Sequence, residues 1–228
     1  MDAKSNPFSL EGKLIIVTGA SSGIGRQCAV SCTQNGGKVI IMGRNRERLI
    51  ETLKLMNEKE NNNIYSFDLT EFDRAEKIVD EIVHNYGRIS GLVNCAGIST
   101  TLPFNMAKPE KIEAFFKINV QSAINMTRVV TKQSNISKTS SSIIFISSVM
   151  GEVGEVGKTI YSITKGALLA FSKSLALEFS PRHIRVNCIS PGVVETPMSK
   201  NAIYSGSEES LNRIKNLHPL GLGLPEDI

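Results

Sequence analysis

The sequence predicts an α/β protein built on a doubly wound parallel sheet. Three observations predict it. Short β-branched runs recur along the 228 residues, each followed by a stretch of helical periodicity. The runs are continuously apolar rather than alternating, as strands covered on both faces require. The first run leads into a glycine-rich turn and a helix.

Taken in order, residues 14–17 are the first strand and 24–35 the first helix. Residues 38–42 form the second strand and 46–59 the second helix, with Leu49, Leu53 and Met56 on one face. A short strand at 64–67 precedes a helix at 71–86, and a fourth strand covers 92–94. One long helix is expected over 109–134, a fifth strand over 142–147, a long helix over 159–179 and a sixth strand over 184–189. No repeat, low-complexity segment or linker divides the chain, so residues 1–228 are expected to form one domain.

Composition narrows the function. Apolar residues make up 41% and charged residues 21%, which is ordinary for a globular chain. The net charge of +4 suits an anionic small ligand and is too dispersed to indicate nucleic acid. No apolar run is long enough for a membrane helix and the first thirteen residues lack a signal-peptide core, so a cytoplasmic protein is expected. The four cysteines, Cys28, Cys32, Cys95 and Cys188, form no C-x-x-C pair, and with three histidines no metal site is expected.

The motif Thr18-Gly19-Ala20-Ser21-Ser22-Gly23-Ile24-Gly25 follows the first strand. Gly19 would permit the tight turn, Gly23 would let backbone approach a pyrophosphate, and Gly25 would allow close helix packing. The helix start then offers unpaired N–H groups and a partial positive charge to phosphates. The second strand ends in Gly43-Arg44, where an acidic residue would favour NAD. A guanidinium there can grip a 2′-phosphate, so NADP(H) is expected over NAD(H).

Tyr161 and Lys165 stand four apart, on one helix face. A fixed cation favours the phenolate, and the pair can exchange a proton with a carbonyl or alcohol oxygen. Ser148 lies just past the fifth strand, where its hydroxyl could hold that oxygen. All three fall at the carboxyl ends of strands, where open α/β sheets bind ligands.

These motifs together resemble the short-chain dehydrogenase/reductase family in its single-domain, Rossmann-like branch, over essentially the whole chain. The overall look is similar to 3-oxoacyl-acyl-carrier-protein reductases. Residues Thr18 to Gly25, with Ser21, Ser22 and Ile24 among them, match the family's T-G-x-x-x-G-x-G cofactor loop. Asp68, followed by Leu69, is similar to the residue that contacts the adenine amino group. Asn94-Cys95-Ala96-Gly97 matches the N-N-A-G segment, which mainly supports the sheet and lines the cofactor, with Cys95 in place of its second asparagine. Asn119, Ser148, Tyr161 and Lys165 match the catalytic residues. Pro191-Gly192-Val193-Val194-Glu195-Thr196 resembles the loop that holds the nicotinamide amide.

The resemblance implies definite roles. Tyr161 would be the acid in ketone reduction and the base in alcohol oxidation. Ser148 would orient the substrate oxygen. Lys165 would hold the nicotinamide ribose and lower the tyrosine pKa. Asn119 would bend its helix and hold a water of a proton relay through its backbone. A homodimer or homotetramer is implied for the full-length form, with a small ketone or alcohol as partner. Residues 219–228 resemble the segment that leads into a further helix and a seventh strand. That C-terminal helix and strand are therefore expected to be missing, with one sheet edge left open.

The substrate loop is expected over 198–217, with Met150, Val153, Val156, Met198, Ile203 and Tyr204 as candidate apolar lining. No cation cluster there calls for an anionic substrate, and a 3-oxoacyl thioester, a steroid-like ketone and a sugar-derived ketone all remain open. Two other readings stand beside the oxidoreductase. One is a non-catalytic cofactor-binding protein on the same fold. The other is a sugar-nucleotide epimerase or dehydratase, which also uses a Tyr–Lys pair but with T-G-x-x-G-x-x-G spacing and a larger substrate domain.

Overall fold

The computed structural model describes residues 6–57, 61–200 and 208–228. Six parallel strands form one sheet: β1 (Leu14–Thr18), β2 (Lys38–Gly43), β3 (Asn63–Ser66), β4 (Gly91–Asn94), β5 (Ser141–Ile146) and β6 (Ile184–Ile189). Their order is β3-β2-β1-β4-β5-β6. The chain winds outward from β1 in one direction and from β4 in the other. The crevice between β1 and β4 is the switch point at which such sheets bind ligands, beyond the strands' carboxyl ends.

The helices are α1 (Gly23–Gln34), α2 (Arg46–Leu55), α3 (Phe72–Tyr86), α4 (Pro109–Phe116), α5 (Ser122–Val130), α6 (Thr159–Phe179), α7 (Pro197–Lys200) and α8 (Glu208–Asn216). Alternate strand residues sort into two cores because strand side chains alternate between faces. Leu14, Ile16, Ile40, Met42, Leu92, Ile143 and Phe145 pack with Val79 and Ile82 of α3, Met126 and Val130 of α5, and Leu168 of α6. Ile15, Val17, Val39, Ile41 and Val93 pack on the other face with Ala29 of α1 and Leu49 of α2.

Two expected helices differ from those observed. The second ends at Leu55 rather than continuing to 59, because Met56 turns extended at φ −80°, ψ 147°. The expected single helix over 109–134 is three pieces. A π-turn at Lys117–Gln121 joins α4 to α5, and α5 ends at Val130. Within the expected substrate loop the structure places two helices, α7 and α8. Past it, Pro225–Asp227 form a single 3₁₀ turn in which Asp227 Oδ2 accepts from the Leu224 amide at 2.7 Å.

Candidate active site

The glycine turn owes its shape to backbone crowding. Gly19 has φ +66°, and a Cβ there would meet the Ala96 backbone at 2.7 Å. A Cβ on Gly25 would stand 2.5 Å from the Gly19 carbonyl oxygen, so the first turn of α1 lies directly on the loop. Gly23 has φ +53° and faces Thr196, whose methyl would be 2.9 Å from an added Cβ. Thr18 ties the turn to β4: its hydroxyl accepts from the Cys95 amide at 3.2 Å and donates to the Val93 carbonyl at 3.4 Å.

Sequence reasoning missed the clamp on the loop's far side. Arg26 donates to the Ser21 carbonyl at 2.9 Å and to Thr52 Oγ1 at 3.0 Å, and pairs with Glu51 at 3.0 Å. Thr52 in turn donates to the Ala20 carbonyl at 2.8 Å. Only the fold brings α1 and α2 together here, so no local pattern signals it.

The loop opens on a cavity of about 320 Å³. Gly19, Ser21, Ser22, Gly23, Ile24 and Gly25 line one end. No acidic residue occupies the first turn of α1 and Ser22 makes no side-chain cap. Among the described residues the amides of Gly23, Ile24 and Gly25 have no protein acceptor. Exposed amides at a helix start, reached over glycines that no side chain blocks, fit a pyrophosphate.

Arg44, Asp68 and Leu69 line the neighbouring wall. Arg44 and Asp68 face each other at 3.9 Å, with the Arg44 side chain 65% exposed. A pair so long and solvated holds little energy and leaves the guanidinium's other donors open. Desolvation pushes the Asp68 carboxyl up. The Thr70 amide and hydroxyl, at 2.9 and 2.8 Å, together with Arg44 and Lys117, outweigh it and hold the carboxyl below its ordinary value.

At the other end Ser148, Tyr161 and Lys165 line the same cavity, with Pro191, Gly192, Val194 and Thr196 across from them. Ser148 Oγ accepts from the Met150 amide at 3.2 Å, which leaves its proton to donate. Lys165 is buried; its Nζ donates to the Ile146 carbonyl at 2.7 Å and lies 5.7 Å from the Tyr161 ring centre. Burial pulls the Lys165 pKa from 10.5 to about 8, against the opposing pull of the Cys95 and Cys188 thiols.

Two expected site residues stand behind the cavity rather than in it. Asn94 is buried and its Nδ2 donates to Thr127 Oγ1 at 3.4 Å; Cys95, Ala96 and Gly97 form the wall instead. Asn119, fully buried in the π-turn, clamps two elements. Its Oδ1 accepts from the Ile98 amide at 2.8 Å, and its Nδ2 donates to the Ile98 carbonyl and to Thr164 Oγ1, each at 3.0 Å.

Among the candidate substrate residues, Met150 and Met198 line the cavity. Val153 is exposed and does not, and Val156 lines a smaller annex. Ile203 and Tyr204 lie outside the described residues. The structure adds Glu155, Lys158 and Ile214, which the sequence did not single out. His218 was also missed. Its Nε2 accepts from the Val193 amide at 3.0 Å while its Nδ1 faces the Ile214 carbonyl at 2.8 Å, fastening the 191–196 loop to α8.

Among the described residues no cluster of three or more metal-ligating side chains occurs, and no helix is long and apolar enough to cross a membrane.

A glycine turn at the switch point, opening on one cavity with a serine, a tyrosine and a lysine, is the arrangement of a class of oxidoreductase. Residues 13–205 match the family model of the short chain dehydrogenases, and the chain belongs to that family. It is 34% identical to a 3-oxoacyl-[acyl-carrier-protein] reductase of Thermotoga maritima, across 96% of this chain and 88% of that protein. Carbonyl reductase family member 4 of Xenopus laevis is also 34% identical, across 95% and 87%. Among solved structures, an actinorhodin polyketide ketoreductase with NADPH superimposes with a TM-score of 0.86 at 30% identity, covering 94% of this chain and 86% of that one. A 3-ketoacyl-(acyl-carrier-protein) reductase of Brucella melitensis complexed with NADH gives 0.87 at 25% identity, covering 96% and 88%.

Proposed function

We propose that this chain is an NADP(H)-dependent oxidoreductase that interconverts ketones and secondary alcohols, with 3-oxoacyl thioesters among its candidate substrates. The observation that carries the reading is the convergence of Ser148, Tyr161 and Lys165 on the cavity that the glycine turn opens. Two likenesses support it: the identity to 3-oxoacyl-[acyl-carrier-protein] reductases, and the superposition on an actinorhodin ketoreductase solved with NADPH. Arg44 favours the phosphorylated cofactor over NAD(H), because a guanidinium offers a 2′-phosphate a charge-assisted fork.

A bound nicotinamide supplies the hydride in reduction and accepts it in oxidation. The protein's part is geometry and proton transfer. The amides of Gly23, Ile24 and Gly25 would hold the pyrophosphate. Arg44 and Asp68 would address the adenosine half, and the 191–196 loop the nicotinamide amide. Ser148 donates its free proton to the substrate carbonyl oxygen and fixes its position. Tyr161 gives its phenolic proton to that oxygen as the carbon is reduced, and takes it back in the reverse direction. Lys165 provides the fixed positive charge behind the phenol. It has two N–H donors beyond the one given to Ile146, enough for a ribose hydroxyl. Asn119 acts by holding the loop at Ile98 against α6.

The chain would work as one dinucleotide-binding domain in the cytoplasm, and in a homodimer or homotetramer as the family resemblance implies. A screen of ketones and secondary alcohols that follows NADPH absorbance tests the reading. Turnover of a ketone is expected. Tight NADPH binding with no absorbance change for any substrate would favour a cofactor-binding protein instead.

A further inference from the structure

Lys158 has no part in the proton chemistry above, and its placement is costly. It sits at the N-cap of α6, where Ser, Thr, Asp or Asn normally accept from the first amides. A cation there faces the positive end of the helix dipole. The residue is only 8% exposed. Among the described residues its ammonium has no hydrogen-bond acceptor and no ion pair. Desolvation lowers its pKa, and the Glu155 charge opposes that only in part. An ammonium partly withdrawn from water, with no protein acceptor among the described residues, is placed to take an acceptor that enters the cavity.

The surroundings indicate which acceptor. Lys158 and Glu155 line the main cavity and also the annex, which continues toward Arg213 on α8. Lys158 Nζ lies 6.0 Å from the Tyr161 ring centre, so a group seated on it is only a few carbon bonds from the reacting carbon. Glu155 already offsets part of the Lys158 charge, so a singly charged carboxylate meets less repulsion there than a doubly charged phosphate, and Arg213 lining the annex adds a second cation.

We infer that Lys158 is a specificity-determining residue, and that the site takes ketones, or the matching alcohols, that carry a carboxylate a few carbons from the reacting carbon. This rests on the hydride-transfer reading above and narrows its substrate class. It also revises the expectation that no cation calls for an anionic substrate. That expectation concerned a cluster of cations, whereas Lys158 is a lone cation two residues past Val156 that lines the cavity.

The test compares levulinate with its methyl ester, which has the same skeleton but no charge, in the wild type and in Lys158→Met and Lys158→Arg. The wild type is expected to favour the acid in kcat/KM. Lys158→Met should lower the acid-to-ester ratio about ten- to a hundredfold, the range for losing a charge-assisted hydrogen bond, and Lys158→Arg should keep most of it. An unchanged ratio in Lys158→Met would overturn the inference. So would an equal loss for acid and ester with a displaced pH profile, which would mean that Lys158 acts through Tyr161.

A binding measurement keeps the two readings separate. In the Tyr161→Phe background, NADPH fluorescence is titrated with levulinate and with the ester, with and without Lys158→Met. Acid-selective binding that disappears with Lys158→Met supports the inference even if no ketone is reduced, a result that would sink only the hydride-transfer reading. Equal binding of acid and ester in the presence of Lys158 overturns the inference even if other ketones are turned over.

Discussion

Asn119→Leu isolates what the buried amide in the π-turn does. Leucine keeps asparagine's branched shape, with a larger volume, and offers no polar atom. The change strips the Ile98 amide of its acceptor, the Ile98 carbonyl of a donor and Thr164 Oγ1 of a donor. Ile98 is half-buried, so water partly replaces its partners, whereas the Thr164 contact is buried. At about 1 to 1.5 kcal/mol for each such bond, the loss comes to roughly 3 to 4.5 kcal/mol. For a chain of this size each kcal/mol moves Tm by about 2 to 4 °C, so the variant should melt on the order of 6 to 18 °C lower. Thermal unfolding followed by circular dichroism measures this directly. Thr164→Val shares one of the three bonds, so the double variant should lose less than the sum of the singles. A Tm within about 2 °C of wild type would refute the clamp. Additive losses would refute the Asn119–Thr164 link alone.

Two further predictions concern charge. Arg44→Ser should raise KM for NADPH about ten- to a hundredfold while changing KM for NADH little, because only NADPH carries the 2′-phosphate; equal effects on both would remove Arg44 from cofactor selection. Lys165→Met should be inactive, and its stability relative to wild type should depend on pH. The folded pKa of Lys165, about 8, lies below the ordinary 10.5. The penalty for burying the charge is therefore fully present below pH 8 and relieved as pH rises toward 10.5. Wild type should gain on the variant by roughly 3 kcal/mol across that window, read from urea midpoints, and a constant difference would contradict the assignment.

The parts of the fold that follow local rules were legible in the sequence. All six strands and the 159–179 helix came from continuous apolar runs and helical periodicity, and the order of the motifs placed the site at the strand ends. The long helix over 109–134 was misread because helical periodicity continues through the π-turn. The break comes from Asn119 reaching Ile98 and Thr164, which are distant in sequence. The expectation that Asn119 bends its helix came from the family resemblance rather than from the pattern. Lys158, Arg26 and His218 went unnoticed for the same reason. Each is an ordinary polar residue in sequence, and only tertiary packing buries it or hands it a backbone partner. Asn94 was the reverse case: its motif marked it as cofactor lining, yet its side chain turns inward to Thr127, away from the cavity.

The central claim is that Tyr161 passes the proton while the cavity holds NADPH, and Tyr161→Phe tests it most directly. The variant removes one hydroxyl and keeps the ring beside Lys165. NADPH affinity, measured by fluorescence, should stay within about threefold of wild type, and ketone-dependent NADPH oxidation should fall by at least about a hundredfold. Oxidation at a rate near that of wild type would contradict the account.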